Sequence, residues 1–327
     1  MAHDIDFSNE RANIAYIKEK PWHGLGQELQ PNQGIDVWAE AAGLSHEVKR
    51  AVTKYTTTDG VLRTFASREV LYRSDTMRAL GVVGNNYHIV QPYEILDFFS
   101  HLAEHNGFTL ETAGSLGGGK RIWALAKVND GATVIGQDIV KPYVLLATSY
   151  DASMATTARR TLVRVVCQNT ISYALAEGGD IIKIPHSQAF NAKDTRLDLG
   201  IAQDNFEAFL INARKLAKRE VNDVFAVEFL KQLLPVTMSI KEGVERNTPV
   251  PVESTKAFKS IIALFDEGVG VDLPEARGTA WGLLNAVTEY TDHIAGRDKE
   301  SRLASSWFGD GNAIKTRARD MLFEIVG

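Results

Sequence analysis

The sequence predicts an α+β fold: an antiparallel, hairpin-rich sheet packed against helices, followed by an all-helical C-terminal domain. Three observations carry this reading. Up to about residue 200 the chain holds runs that alternate between apolar and polar positions, the period of a strand. Short turn signals such as Asp59-Gly60 join these runs, so neighbouring strands run antiparallel. From about Leu199 only helical periodicity remains, which places a domain boundary between 1–200 and 201–327.

The elements follow in order. Residues 35–43, IDVWAEAAG, read as a short helix ended by Gly43. The run EVKRAVTKYTTTDGVLRTFASREVLYR alternates on both sides of Thr58-Asp59-Gly60 and reads as a hairpin. A strand is expected at 82–90 and a helix from Pro92, where Ile95, Phe98, Phe99 and Leu102 recur at helical spacing before Gly107. Two further hairpins cover 108–164, and Asn169 is a good N-cap for a helix over TISYALAE. Five helices are expected in the second domain, at 203–220, 222–234, 252–267, 274–295 and 311–325, divided by Pro235, Pro249-Val250-Pro251 and Gly268–Gly270.

With 327 residues, 44% hydrophobic and 24% charged, the chain can bury two ordinary cores. Its formal charge of −5 excludes a general polycationic binder, so any affinity for nucleic acid must come from a local patch. The single cysteine, Cys167, excludes an internal disulfide and fits a reducing compartment. The N-terminus lacks a signal-peptide pattern, and no stretch approaches the ~20 apolar residues of a membrane span. A cytoplasmic protein that does not engage a membrane is expected.

The candidate site lies between Gly114 and Cys167. Seven Lys/Arg stand there (Lys120, Arg121, Lys127, Lys141, Arg159, Arg160, Arg164) against three acids (Asp130, Asp138, Asp151). Strand alternation puts Arg121, Trp123 and Lys127 on one side of their strand, and Arg160 and Arg164 on one side of theirs. Cations that follow a phosphate backbone around a ring on which bases stack are the ingredients of single-strand binding. The expected DNA-binding set is therefore Lys120, Arg121, Trp123, Lys127, Arg159, Arg160 and Arg164. Arg160 and Arg164 are expected on a solvent-facing sheet surface.

Other patterns carry less. Gly114 to Arg121 imitates a phosphate-binding loop, but Arg121 replaces the hydroxyl that would hold magnesium, and a strand follows instead of a helix. A hairpin turn with a basic tip is expected. His101-Leu102-Ala103-Glu104-His105 matches the H-x-x-E-H zinc pattern, yet it sits opposite the apolar stripe of its helix and has no evident third ligand. Glu289, Asp292 and His293 are spaced to clasp a cation, and equally to line the outer face of an exposed helix. Cys167 has no base placed beside it, and Trp22 in PWHGLG reads as a packing residue. No residue is assigned a catalytic role, and no metal or cofactor is expected.

The motifs PWHGLG (21–26), GSLGGGKRIWALAKV (114–128), RVVCQNT (164–170), GTAWGLLNAVTEYTDH (278–293) and SSWFGDG (305–311) together resemble the phage/plasmid-like protein family. That family is a domain-of-unknown-function grouping of phages, prophages and mobile elements. The resemblance implies a bacterial host cytoplasm and supplies no activity. A hairpin-rich sheet with a helix across it also looks like the core of phage single-strand annealing proteins, which assemble into rings or filaments and work without ATP. The expectation is thus an ATP-independent single-stranded DNA-binding and annealing protein for recombination, acting as a homo-oligomer. The alternatives are an anti-defence or regulatory protein that binds a host partner, and a metal-dependent hydrolase built on His101 and His105.

Overall fold

The computed structural model describes residues 6–7, 10–18, 25–106, 108–164, 170–171, 181–199, 202–234, 237–239, 248–273, 276–296, 302, 305–307 and 309–327. The chain forms two compact units. The first comprises Met1–Asp130, Pro142–Thr161 and Ala176–Ala202; the second comprises Gly131–Lys141, Leu162–Leu175 and Gln203–Gly327.

Strands β1 (Ile14–Ile17), β2 (Gln27–Leu29), β6 (Thr109–Leu116), β7 (Arg121–Lys127), β9 (Asp138–Ser149) and β10 (Thr156–Arg164) lie in the order β10-β9-β7-β6-β1-β2, all in the first unit except Asp138–Lys141 of β9 and Leu162–Arg164 of β10. β12 (Ile181–Ile184) pairs with β10. β1 pairs with β2 in parallel, whereas β1 with β6, β6 with β7, β7 with β9 and β10 with β12 are antiparallel. Ile122, Ala124 and Ala126 of β7 point into a core with Ile95, Phe98 and Phe99 of α2 (Pro92–Asn106) and Trp38 of α1 (Ile35–Ala41). The i, i+3, i+4 spacing of the α2 residues gives that helix its single buried face.

A separate three-stranded sheet, β3-β4-β5, is built from β3 (Val48–Thr56), β4 (Leu62–Arg73) and β5 (Ala79–Gly84). Only its root reaches the core, through Val48, Leu71, Leu80 and Val83. The strand expected at 82–90 therefore starts earlier and stops at Gly84, where a turn through Asn85 and Asn86 ends the pairing.

The second unit carries α4 (Ala202–Lys218), α5 (Asp223–Leu233), α6 (Lys256–Glu267), α7 (Ala280–Glu289) and α8 (Asp310–Val326). Their starts follow capping chemistry: Asn222, Thr255 and Thr279 accept hydrogen bonds from Phe225, Phe258 and Gly282 N–H at 2.9, 3.2 and 3.1 Å. α7 is buried on every side, and Gly282 lets it approach the carbonyl of Ala276, where any side chain would collide. Trp281 donates its indole N–H to Asp138 of the same unit at 2.7 Å.

Three expectations are corrected. The second half is not helical throughout, since β13 (Thr237–Ser239) pairs with β14 (Thr248–Val250). Thr170 and Ile171 form β11 against Val163 and Leu162 instead of opening a helix, because an open strand edge suits β-branched residues. Asn169 lies outside the described residues. Finally, Glu289 and Asp292 are buried, not on a wet helix face. Glu289 accepts the N–H of Val269 at 3.0 Å, while Asp292, in a π-helical turn after α7, accepts from Lys315 at 2.6 Å and from Ser306.

Candidate nucleic-acid interface

The sequence from Val48 to Arg68 contains Lys49, Arg50, Lys54, Arg63 and Arg68 against one acid, Asp59. Its alternation does not resolve into one apolar and one polar face. Folded, it becomes an arm. From Lys49 to Arg68 every residue is exposed except Thr53 and Thr57, which are half-buried, so both faces of the distal hairpin are wet. The tip closes through Thr57 N–H to Val61 O at 3.0 Å and Gly60 N–H to Thr57 O at 2.9 Å, with Gly60 at φ +80° where a side chain would strain the backbone.

Register decides which side chains meet. Lys54 stands opposite Thr64, Tyr55 opposite Arg63 and Thr56 opposite Leu62. Tyr55 and Arg63 consequently share a face, and Phe65, two residues along from Arg63, meets the Tyr55 ring edge-on at 6.4 Å and 78°. An arginine flanked by two exposed rings results. Val52 and Leu62 are 60% and 61% exposed, an unusual outlay of apolar surface on a two-stranded ribbon. Arg50 is paired with Glu69 and Lys49 with Glu47, but Lys54, Arg63 and Arg68 have no acidic partner among the described residues.

A second basic group forms at the root, where two turns come together. Gly117, Gly118 and Gly119 have φ of 62°, 70° and 91°, and a Cβ at Gly118 would collide with the guanidinium of Arg78. Gly119 meets Arg73 in the same way. Arg73 is fully buried, donating to Asp6 and, through Nε and Nη2, to Asp75 at 3.0 and 2.7 Å. Burial opposes the Arg73 charge, but the two carboxylates outweigh it and raise its pKa. Asp6 also accepts from Asn13 and Ser115 at 2.8 and 3.0 Å. The glycine-rich turn is thus a hairpin turn shaped to pack two arginines, and no phosphate-binding helix follows it.

The sequence-predicted set divides. Lys120 is exposed and Arg121 half-buried, its Nε donating to Ser153 Oγ at 3.0 Å. Lys127 is 13% exposed and paired with Asp130 at 2.8 Å and Glu111 at 3.7 Å. Trp123, Arg159 and Arg160 are 4%, 4% and 1% exposed, which corrects the expectation of a solvent-facing sheet surface. The reason is that both faces of the sheet are buried: Ile122 and Ala124 on one side, Trp123, Leu125 and Leu145 on the other. Alternation marks a wet face only when one side of a sheet is open. The side chain of Arg164, and those of His101, Glu104 and His105, lie outside the described residues, as do Trp22 and Cys167.

Residues 79–307 match the family described as domain of unknown function DUF932. The chain belongs to that family. No curated protein and no solved structure matches. The DUF932 region takes in β5, the glycine-rich turn and α7, while the arm residues 48–73 precede it. Among the described residues, no three His, Cys, Asp or Glu are grouped to hold a metal ion, and no helix is long and apolar enough to cross a membrane.

Proposed function

We propose that this DUF932 protein binds single-stranded DNA and anneals complementary strands without ATP, as a phage-type recombination protein assembled into a ring or filament in a bacterial cytoplasm. The observation that carries the reading is the arm, with Lys54, Arg63 and Arg68 free of acidic partners among the described residues, beside the exposed rings of Tyr55 and Phe65. Rings stack on bases only where those bases are unpaired, which favours single strands over duplex. Among the described residues strand β3 has no neighbour on its outer side, and an open edge invites another strand. Lys49 and Lys54 on that edge set like charges against a second copy and attract a polyanion instead.

The test is a titration of labelled single- and double-stranded oligonucleotides at two salt concentrations. Tighter, salt-sensitive binding of the single strand is expected, followed by faster pairing of complementary strands. An absence of binding at micromolar protein in low salt removes the reading and favours a protein partner for the arm.

A further inference from the structure

Two turns far apart in sequence, 73–78 and 116–121, meet in the first unit, and the contact gathers a group of cations that no carboxylate neutralises among the described residues. Gly118 is under the Arg78 guanidinium; Lys120 and Arg121 follow in the same turn. Arg78 and Lys120 are exposed, and none of the three has an acidic partner among the described residues. The carboxylates of the adjoining segments are engaged: both oxygens of Asp75 accept from the buried Arg73, and Asp151 accepts from Ser153 N–H at 3.0 Å. Counting Arg73, Arg78, Lys120 and Arg121 against Asp6, Asp75 and Asp151 leaves a net charge of +1, with Arg78 and Lys120 the exposed cations of the group.

Glycine at 118 is what the arrangement requires. Three successive positive φ values shape the turn, and the Arg78 guanidinium lies against Gly118 where a Cβ would collide; Arg78 is exposed, and a planar guanidinium suits an oxyanion. We infer that the joined turns form a phosphate-binding site, anchored by Arg78, that holds the backbone of the same DNA strand the arm engages. This rests on the proposed function. β4 runs from Leu62 at the arm tip to Arg73 at this root, so about 35 Å separates the two contacts at ~3.3 Å per residue. A strand must exceed that reach to use both.

The experiment is fluorescence anisotropy with labelled oligothymidylates of ~4 and ~20 nucleotides, the shorter unable to bridge tip and root. Arg78→Ala is expected to weaken the longer oligomer roughly 5- to 10-fold and to reduce the salt slope by about 0.7, one phosphate contact on a single strand. Arg78→Lys should keep the slope. Gly118→Ala should match Arg78→Ala by displacing the guanidinium, and the double variant should be no weaker than either. Calorimetric unfolding of each variant checks that the turn still folds. If Arg78→Ala leaves affinity and slope unchanged while Tyr55→Ala and Phe65→Ala each weaken binding, the root site is overturned and the arm reading stands. If the native protein binds neither oligomer, both fall.

Discussion

Arg73 is a buried cation that the first unit tolerates because Asp6 and Asp75 flank it. Removing it takes the guanidinium from the buried Asp6 carboxylate, so Arg73→Ala should destabilise by about 3–5 kcal/mol in chemical denaturation. His46 lies close by, its Nδ1 3.2 Å from Gly43 O and its Nε2 buried without a partner. Burial, aided by the Arg73 charge, lowers its pKa from 6.5 to about 4. The folded state therefore holds this ring neutral. Its contribution is complete above pH 6.5 and is lost as pH falls toward 4, amounting at most to about 3 kcal/mol. Burial works against ionisation of Asp75, yet the paired Arg73 guanidinium outweighs it and brings that carboxyl down to about 2. The Asp75 contribution thus survives to a lower pH and is lost between 3.8 and about 2. Urea midpoints measured against pH should decline first between 6.5 and 4, and His46→Gln should flatten that interval while leaving the lower one. A decline unchanged in His46→Gln would assign it to another group.

At the scale of elements, the arm and α7 respond oppositely to substitution. Tyr55 and Phe65 are exposed, so Tyr55→Ala and Phe65→Ala should each shift stability by less than about 0.5 kcal/mol. Their loss of single-strand affinity should be about 1–3 kcal/mol each, read by anisotropy. A stable variant with unchanged affinity would leave the rings without a ligand role. In α7 the opposite holds. Trp281→Phe keeps most of the apolar volume but takes the indole donor from buried Asp138, which should cost about 1–3 kcal/mol of stability without touching DNA binding.

Across the whole molecule, a net charge of −5 coexists with a basic surface. Six cations without acidic partners among the described residues, Lys54, Arg63, Arg68, Arg78, Lys120 and Arg121, bound to one strand imply a salt slope near −4 at about 0.7 per phosphate. A fourfold rise in salt should then weaken binding by roughly 300-fold. So few contacts hold DNA poorly at physiological salt, and assembly along the strand multiplies them. Light scattering should accordingly show species well above the monomer when single-stranded DNA is added; a strict monomer with and without DNA would count against annealing.

The sequence by itself determined the fold class and most element types, because periodicity and turn residues act locally. Asp59-Gly60 marked the arm's turn, Gly43 ended α1, and Arg121 in place of a hydroxyl ruled out the phosphate-loop reading of the glycine run. The arm's cations were also visible, denser than those of 114–167, but nothing local says whether a strand face will be covered. That depends on what packs against it. Trp123 and Arg160 alternate as surface residues would and are buried, because the sheet is closed on both sides; Tyr55 and Phe65 resemble core residues and stand in water, because only the root of their sheet reaches a core. Arg78 belongs with Gly118 and Lys120 solely through the meeting of two turns 40 residues apart in number, 78 and 118, which is information that tertiary structure alone contains.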